Sequence, residues 1–359
     1  ATLNLVVTKN GQSVLQPFPS WEANDASRPE GLRSVLGFTI DSRNRLWALD
    51  MGYTGGEPRA TPDGQKVVVF DLDSGRELRR IALPDAVADP ATSFLNDIAL
   101  DERRQVAYLS DSGNRADGGA AGGIIVLDLK TGAARRLLDR SPLTGDDSER
   151  PLQVNGEPAI PGVALKVGIN GIALSPDGQR LYVGVGSNSN IGENGMAAEE
   201  GRAAVWEVDI RTGAHRVFAS GLRNPVGLAW DASGRTLWAV VNERDELGSD
   251  LVPDYLTSVR DGAFYGWPYS YYGQRVDTRV APSAPDKVAA AVVPDFALGA
   301  HVAPLGLASS AGSRLPAPFI NGMFIGQHGS WNRRPHSGYK VVHVPFSGGQ
   351  PAGPARDVL

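Results

Sequence analysis

The stretch NGIALSPDGQRLYVGV, residues 170–185, contains an apolar strand, a polar turn with Gly, and a second apolar strand. The same text recurs as GFTIDSRNRLWALD (37–50), NDIALDERRQVAYLSD (96–111) and VGLAWDASGRTLWAVV (226–241), with a weaker copy in LGLASSAGSRLPAPFINGMFIGQHG (305–329). Measured between the turn residues Asp41, Asp101, Ser175, Asp231 and Ser309, the copies lie 60, 74, 56 and 78 residues apart. Each hairpin is followed by a third apolar run, such as KVVVFDLDSG, GIIVLDLKTG, AAVWEVDIRTG or YKVVHVPFSGG. A fourth follows in ELRRIAL, ARRLL and AHRVFA. The DSG, KTG and RTG signals place Gly where a turn needs positive φ.

Four antiparallel strands repeated about every sixty residues predict an all-β fold, a β-propeller. Residues 1–20 read as the third and fourth strands of a blade, and five fuller blades follow, so about five and a half blades are visible. The expectation is a six-blade plan of four-stranded antiparallel blades in one domain spanning 1–359. The first strand of each blade then lines a channel, and residues just before it converge at one mouth. Asn96 and Asn170 share that place, and Val226 takes it in the next blade. Their amide oxygens suit Ca²⁺, a hard cation. The alternative is that each Asn caps its own turn.

The bulk properties narrow the function. A net charge of −5 without a basic stripe argues against nucleic acid and anionic membrane as partners. The absence of cysteine removes disulfides, thiolate metal sites and cysteine nucleophiles. Gly 43 and Pro 25 favour frequent turns over long helices. The apolar runs GIIVL and VAAAVV are too short to span a bilayer. The chain opens ATLNLVV without methionine, so a secretion signal is expected to have been removed or not included. No Ser/His/Asp arrangement, HExxH or P-loop is present.

Three resemblances follow from these motifs. NGIALSPDGQRLYV is similar to a blade of the gluconolactonase/regucalcin family, in which Asn170 and Asn96 fit Ca²⁺-binding Asn positions. Val226 takes that family's Asp position and no first-blade Glu can be placed, which ranks a calcium-dependent lactonase third. LQPFPSWE, VLGFTIDSRNRLWALDMG, FLNDIALD and AYLSDSG, within residues 1 to about 180, resemble the major royal jelly/yellow family. That resemblance implies a propeller, and as an alternative function a non-enzymatic small-molecule binder.

From about 181 to 359 the text changes. VGSNSNIGENGMAAEEGRAAVWEVD, FASGLRNPVGLAW, VVNERDELGSDLVPDYLTSV, DGAFYGWPYSYYGQRV and FIGQHGSWNRRPHSGYKVVHVPF resemble the sorbosone/soluble glucose dehydrogenase family. The resemblance implies a sugar or aldose dehydrogenase using pyrroloquinoline quinone (PQQ) and Ca²⁺, periplasmic or secreted, and passing electrons to an acceptor that the sequence does not name. It implies cofactor contacts from Arg223, Asn224 and Arg333 or Arg334, where Arg suits the PQQ carboxylates. It implies metal oxygens from Glu243, Asp245 and Glu246 in NERDEL. The aromatic run at 263–273 offers flat walls for a planar cofactor or sugar. The family's histidine base falls near Val167, and no histidine precedes His215. His301 and His328 are the candidate substitute bases. Two resemblances on one chain are what a chimera would show.

Overall fold

A computed structural model describes residues 1–55, 57–113, 122–139, 153–154, 157–158, 169–313 and 315–358. The chain divides into two compact units, Ala1–Asp146 and Asp147–Leu359. Unit 1 begins with a two-stranded sheet, β1 (Asn4–Lys9) and β2 (Gln12–Pro17). Two four-stranded antiparallel sheets follow. The first contains β3 (Val35–Ile40), β4 (Arg45–Asp50), β5 (Lys66–Asp71) and β6 (Glu77–Ala82). The second contains β7 (Leu95–Asp101), β8 (Val106–Asp111), β9 (Gly123–Asp128) and β10 (Ala134–Leu137).

Unit 2 has a short pair, β11 (Gln153–Val154) and β12 (Glu157–Pro158), then three larger sheets. The third blade is β13 (Ile169–Leu174), β14 (Arg180–Val185), β15 (Ala204–Asp209) and β16 (His215–Ser220). The fourth is β17 (Asn224–Trp230), β18 (Leu237–Asn242) and β19 (Pro253–Val259). An insertion with β20 (Ser270–Tyr271), β21 (Arg275–Val276) and α1 (Pro285–Ala290) precedes its last strand, β22 (Phe296–Ala300). The fifth is β23 (Pro304–Ser309), β24 (Gly322–Gln327) and β25 (Lys340–Ser347), with β26 (Gln350–Pro351) and β27 (Arg356–Asp357) both pairing β25. Among the described residues the repeat therefore yields five antiparallel blades, four of them four-stranded, and the six-blade plan is not supported. Residues 1–20 do form a strand pair, but among the described residues β1 and β2 pair as strands only with each other.

The sequence pattern explains the layers. β4 and β5 are buried along almost their whole length, so both faces need apolar residues and the runs are continuous, while the outer strand β6 is mostly exposed. Gly75, Gly132 and Gly213 adopt φ of 69°, 78° and 75° in the turns between third and fourth strands. The first hairpins close on a side-chain acceptor: Asp41 Oδ1 accepts from Arg45 N, Ser175 Oγ from Arg180 N, and Asp231 Oδ1 from Thr236 N.

Every first strand begins with a bulge, where pairing skips Leu36, Asn96–Asp97, Asn170–Gly171, Val226–Gly227 or Leu305. Asn96, Asn170 and Val226 thus share one structural position. The glycine that follows Leu36, Asn170 or Val226 has no room for a side chain, because the next blade packs against it. A Cβ on Gly37 would lie 2.5 Å from Asn96 O, on Gly171 1.8 Å from Val226 O, and on Gly227 2.7 Å from Leu305 O. Between blades the cores are apolar: Trp47, Leu49 and Val69 meet Ile98 and Leu109 in unit 1. Tyr182 and Val205 meet Leu228 and Val241 in unit 2.

Candidate functional site

The loops that follow the second strands and those that precede the first strands lie at the same end of each blade. In unit 2 they bring together Asn190, Arg223, Glu243, Asp245, His301 and Asn332. Asp245 is the hub. Its N–H donates to Asn190 Oδ1 (2.8 Å), and its Oδ1 accepts from Asn332 Nδ2 (2.6 Å) and lies 3.6 Å from His301 Nδ1. Its Oδ2 lies 3.5 Å from Arg223 Nη2, a long contact that counts mainly as charge. Arg223 also donates from Nη1 to Glu243 O (3.1 Å).

A second carboxylate, Asp254 at the start of β19, ties two of these loops. It accepts from Glu243 N at Oδ1 and from Ala303 N at Oδ2, both at 2.8 Å. His301 and Ala303 hold positive φ of 57° and 48°, and Glu246 one of 72°, so the backbone around the site is held in the left-handed region by non-glycine residues.

The electrostatics are set by burial. Glu243 is pushed up to about 8 by desolvation, which Arg223 opposes and Asp254, Asp277 and Asp245 reinforce. Asp254 is pushed up to about 7, again chiefly by burial. Burial also acts to raise Asp245, but His301, Arg223 and Asn332 outweigh it and hold its carboxyl below the usual range. For His301 burial favours the neutral ring, yet Asp245 and Gly248 O prevail and raise it.

Several buried polar atoms here find no hydrogen-bond partner among the described residues: Arg223 Nε, Glu243 Oε1, Asn332 Oδ1 and Gln327 Oε1. Arg244 is 1% exposed, with all three guanidinium nitrogens in that condition. Its Nη1 lies 3.2 Å from Asp277 Oδ2, within ion-pair range but off the hydrogen-bond direction. Buried groups of this kind are rare in proteins and concentrate where a ligand or water completes them.

The expected residues divide as follows. Arg223 and Asp245 meet, and Glu243 joins them through its carbonyl. Asn224 lies beside them but bonds Asn170, whose Nδ2 donates to Asn224 Oδ1 (2.7 Å). Glu246 is drawn away by Arg279 Nη2 (3.0 Å), and among the described residues no three acidic or His side chains converge as a metal cluster. Arg333 clamps the preceding loop, donating from Nε to Ser249 O (2.9 Å) and pairing through Nη2 with Asp250 (3.1 Å). Arg334 is exposed and donates from Nη1 to Arg333 O.

His301 is buried with Nε2 on Gly248 O (2.9 Å), whereas His328 is exposed. Asn96 is in unit 1, where its Nδ2 donates to Ser112 Oγ (3.3 Å). Val167 lies outside the described residues. In the aromatic run Tyr265 and Trp267 are core, their polar tips capping Ser258 O and Asn190 O. Asn190, Asp254 and Asn332 join the site without a motif that marks them. Asn332 stands inside SWNRR beside the stronger charge signal of Arg333 and Arg334, and Asp254 acts only by linking loops distant in sequence.

These blades define a β-propeller, and comparison with solved structures agrees. The Trichoderma reesei carbohydrate-active enzyme of family AA12, in its iodide structure, superposes with a TM-score of 0.65 at 18% identity, covering 99% of this chain and 87% of that one. The holo form of the pyranose dehydrogenase PQQ domain from Coprinopsis cinerea gives 0.62 at 19% identity, covering 91% and 82%. The two halves of the chain match different family models: major royal jelly protein over residues 33–187, and TrAA12-like over residues 277–358. Major royal jelly protein 9 of Apis mellifera is 28% identical over 199 residues, 53% of this chain and 44% of that protein. The chain thus spans less than half the length of the curated relatives it matches. The double resemblance read from the motifs holds, although the C-terminal match begins well after residue 181. No helix among the described residues is long and apolar enough to cross a membrane.

Proposed function

We propose that unit 2 carries a PQQ-binding site of the sugar dehydrogenase type, acting on a small sugar or aldehyde, in a periplasmic or secreted protein. The observation that supports this reading most is Arg223. It is buried at the hub of the site with Nε unmet, so it can meet a cofactor carboxylate without first breaking a hydrogen bond at that atom. Asn332 Oδ1, also unmet, offers an acceptor on the opposite loop. Bound PQQ would supply an ortho-quinone able to accept hydride. The residues fit PQQ through Arg223 and Asn332 and not through Arg333, whose donors are engaged elsewhere. They do not fit calcium as one carboxylate set, because Glu246 pairs with Arg279 and Asp245 is shared by Asn332, His301 and Arg223.

The second reading, binding without turnover, is favoured by the histidines. His301 has one ring nitrogen on Gly248 O and the other toward Asp245, so neither is free to take a substrate proton. Titration with PQQ, followed by tryptophan quenching and then by dye reduction with aldoses, tests both readings. Binding that Arg223→Ala weakens about tenfold or more supports the site. Binding without dye reduction selects the second reading, and no binding removes both.

A further inference from the structure

Unit 2 has another concavity, a groove of about 360 Å³ between β16 and the insertion of the fourth blade. Its apolar lining includes Met196, Val217, Phe264 and Tyr269, with Met196 37% and Val217 40% exposed although both are hydrophobic. Phe264 is fixed there by the bridge to Ser220 and by close packing over Gly221, whose added Cβ would lie 2.6 Å from the Phe264 ring. The floor is Trp267, which is 3% exposed and whose indole N–H donates to Asn190 O (2.8 Å). Trp267 and Asn190 therefore stand between this groove and Asp245.

The lining carries two cations, Arg202 and Lys287, and one carboxylate, Glu199; Arg202 is 7% exposed and its charge acts on Glu199, which leaves Lys287 as the exposed cation. Glu199 is turned inward, accepting from Asn188 N (2.7 Å) and from Ser189 Oγ. Lys287, from α1, makes no ion pair among the described residues, and its Nζ lies 5.0 Å from the centre of the Tyr269 ring. A cation over an aromatic face beside exposed apolar side chains suits one kind of ligand, a flat apolar body with a single negative end. We infer that this groove binds a small aromatic carboxylate, its ring against Phe264, Val217 and Met196 and its carboxylate on Lys287.

The site is independent of the PQQ reading, and 2-naphthoate serves as the probe, with neutral 2-naphthol as its uncharged counterpart. Titration calorimetry on the full chain is expected to give a Kd for 2-naphthoate of about 0.1–1 mM, the range for a ligand of this size. Lys287→Glu, an exposed change, should weaken 2-naphthoate about tenfold and leave 2-naphthol unchanged. Val217→Trp, which fills the groove, should abolish binding of both, with an unchanged melting temperature showing that each variant is folded. Equal 2-naphthoate affinity in Lys287→Glu and the parent chain would overturn the inference. So would displacement of 2-naphthoate by PQQ, which would put the probe in the Arg223 site, and so would absence of binding to the parent chain.

Discussion

The two units use the same blade and treat buried charge in opposite ways. In unit 1 each blade ends its second strand in an aspartate that is fully occupied. Asp50 accepts from Arg33 N, Ser34 N and Gly52 N and pairs with Lys66 Nζ at 2.9 Å. Asp111 accepts from Ser93 Oγ, Phe94 N and Gly113 N and pairs with Arg136 at 2.8 Å. In unit 2 the corresponding loops hold Glu243, Asp245, Arg223 and Asn332, with polar atoms left unmet. A carboxylate that closes its own loop leaves nothing over for a ligand. Unmet buried donors occur in both units, at Arg33 Nε and Gln65 Nε2 as well as at Arg223 Nε, so the contrast is one of carboxylates: among the described residues the unmet carboxylate oxygens, Glu243 Oε1 and Asp277 Oδ2, lie in unit 2.

The largest expected effect falls on the closed side. Asp50→Ala strands Lys66, 2% exposed, in the interior of the blade with only carbonyl partners. Breaking a buried pair from one side costs about 3–5 kcal/mol. Urea unfolding should show that loss, and a change below about 1 kcal/mol would mean that the pair is not what closes the loop. The next effect tests the packing shared by both units. Gly171→Ala drives a Cβ into Val226 O and should cost about 1–3 kcal/mol. Gly306→Ala, at the same repeat position, meets nothing within 4 Å and should fall within about 0.5 kcal/mol of the parent. Equal costs would remove the bulge-on-glycine contact as the cause.

How much of this was legible in the sequence follows the range of the interactions. The hairpins, their Asp or Ser turns and the DSG, KTG and RTG corners are local, and the strands lie where the copies placed them. The equivalence of Asn96, Asn170 and Val226 was legible because the bulge occupies a fixed offset from the turn. Blade number was not, since whether β1–β2 acquires partners depends on long-range pairing that residues 1–20 do not encode. The site was half legible. Arg223, Glu243 and Asp245 stand in dense motifs, but their partners are decided by the fold. Glu246 reads as a ligand beside Asp245 until Arg279, 33 residues away, takes it. Asp254 carries no motif, and its role arises only because the loops at 243 and 303 meet.

The next prediction separates the units by pH. Glu243 and Asp254 are raised by burial to about 8 and about 7, so the folded state keeps protons that the unfolded chain has released above the ordinary carboxylate range. Their contribution is complete below about pH 4 and is lost as pH rises toward 8. His301, also raised, acts in the same direction, while Asp245, lowered, acts oppositely and only in acid. In unit 1, burial pushes Asp41 and Asp101 up, but their arginine partners and hydrogen bonds outweigh it. Their contribution is therefore constant near neutrality and fails below the carboxylate range. Five of the seven tryptophans lie in unit 2, so fluorescence melts report mainly on that unit. The midpoint should fall by about 6–16 °C between pH 6 and pH 8, equivalent to about 3–4 kcal/mol from the two carboxyls together. Glu243→Gln, which fixes the neutral form, should flatten the slope, and an unchanged slope would assign the drift elsewhere.

The smallest effect compares one position across the units. Asn170 and Asn96 occupy the same bulge, but Asn170 reaches the next first strand through Asn224 Oδ1 at 2.7 Å, whereas Asn96 makes a 3.3 Å bond to Ser112 of its own blade. A short bond between strands of different blades is worth more than a long one within a blade, because its loss leaves Asn224 without that donor at a packed junction. Asn170→Ala is expected to cost about 1 kcal/mol, compared with the cost of Asn96→Ala through urea midpoints at constant slope. PQQ affinity adds the functional half of the test, since Asn224 follows Arg223 directly. If Asn170→Ala weakens PQQ as well as the fold, the bulge asparagine of unit 2 belongs to the site. If both substitutions cost the same and neither changes PQQ binding, the two asparagines are turn residues alone, and the difference between the units begins at Arg223.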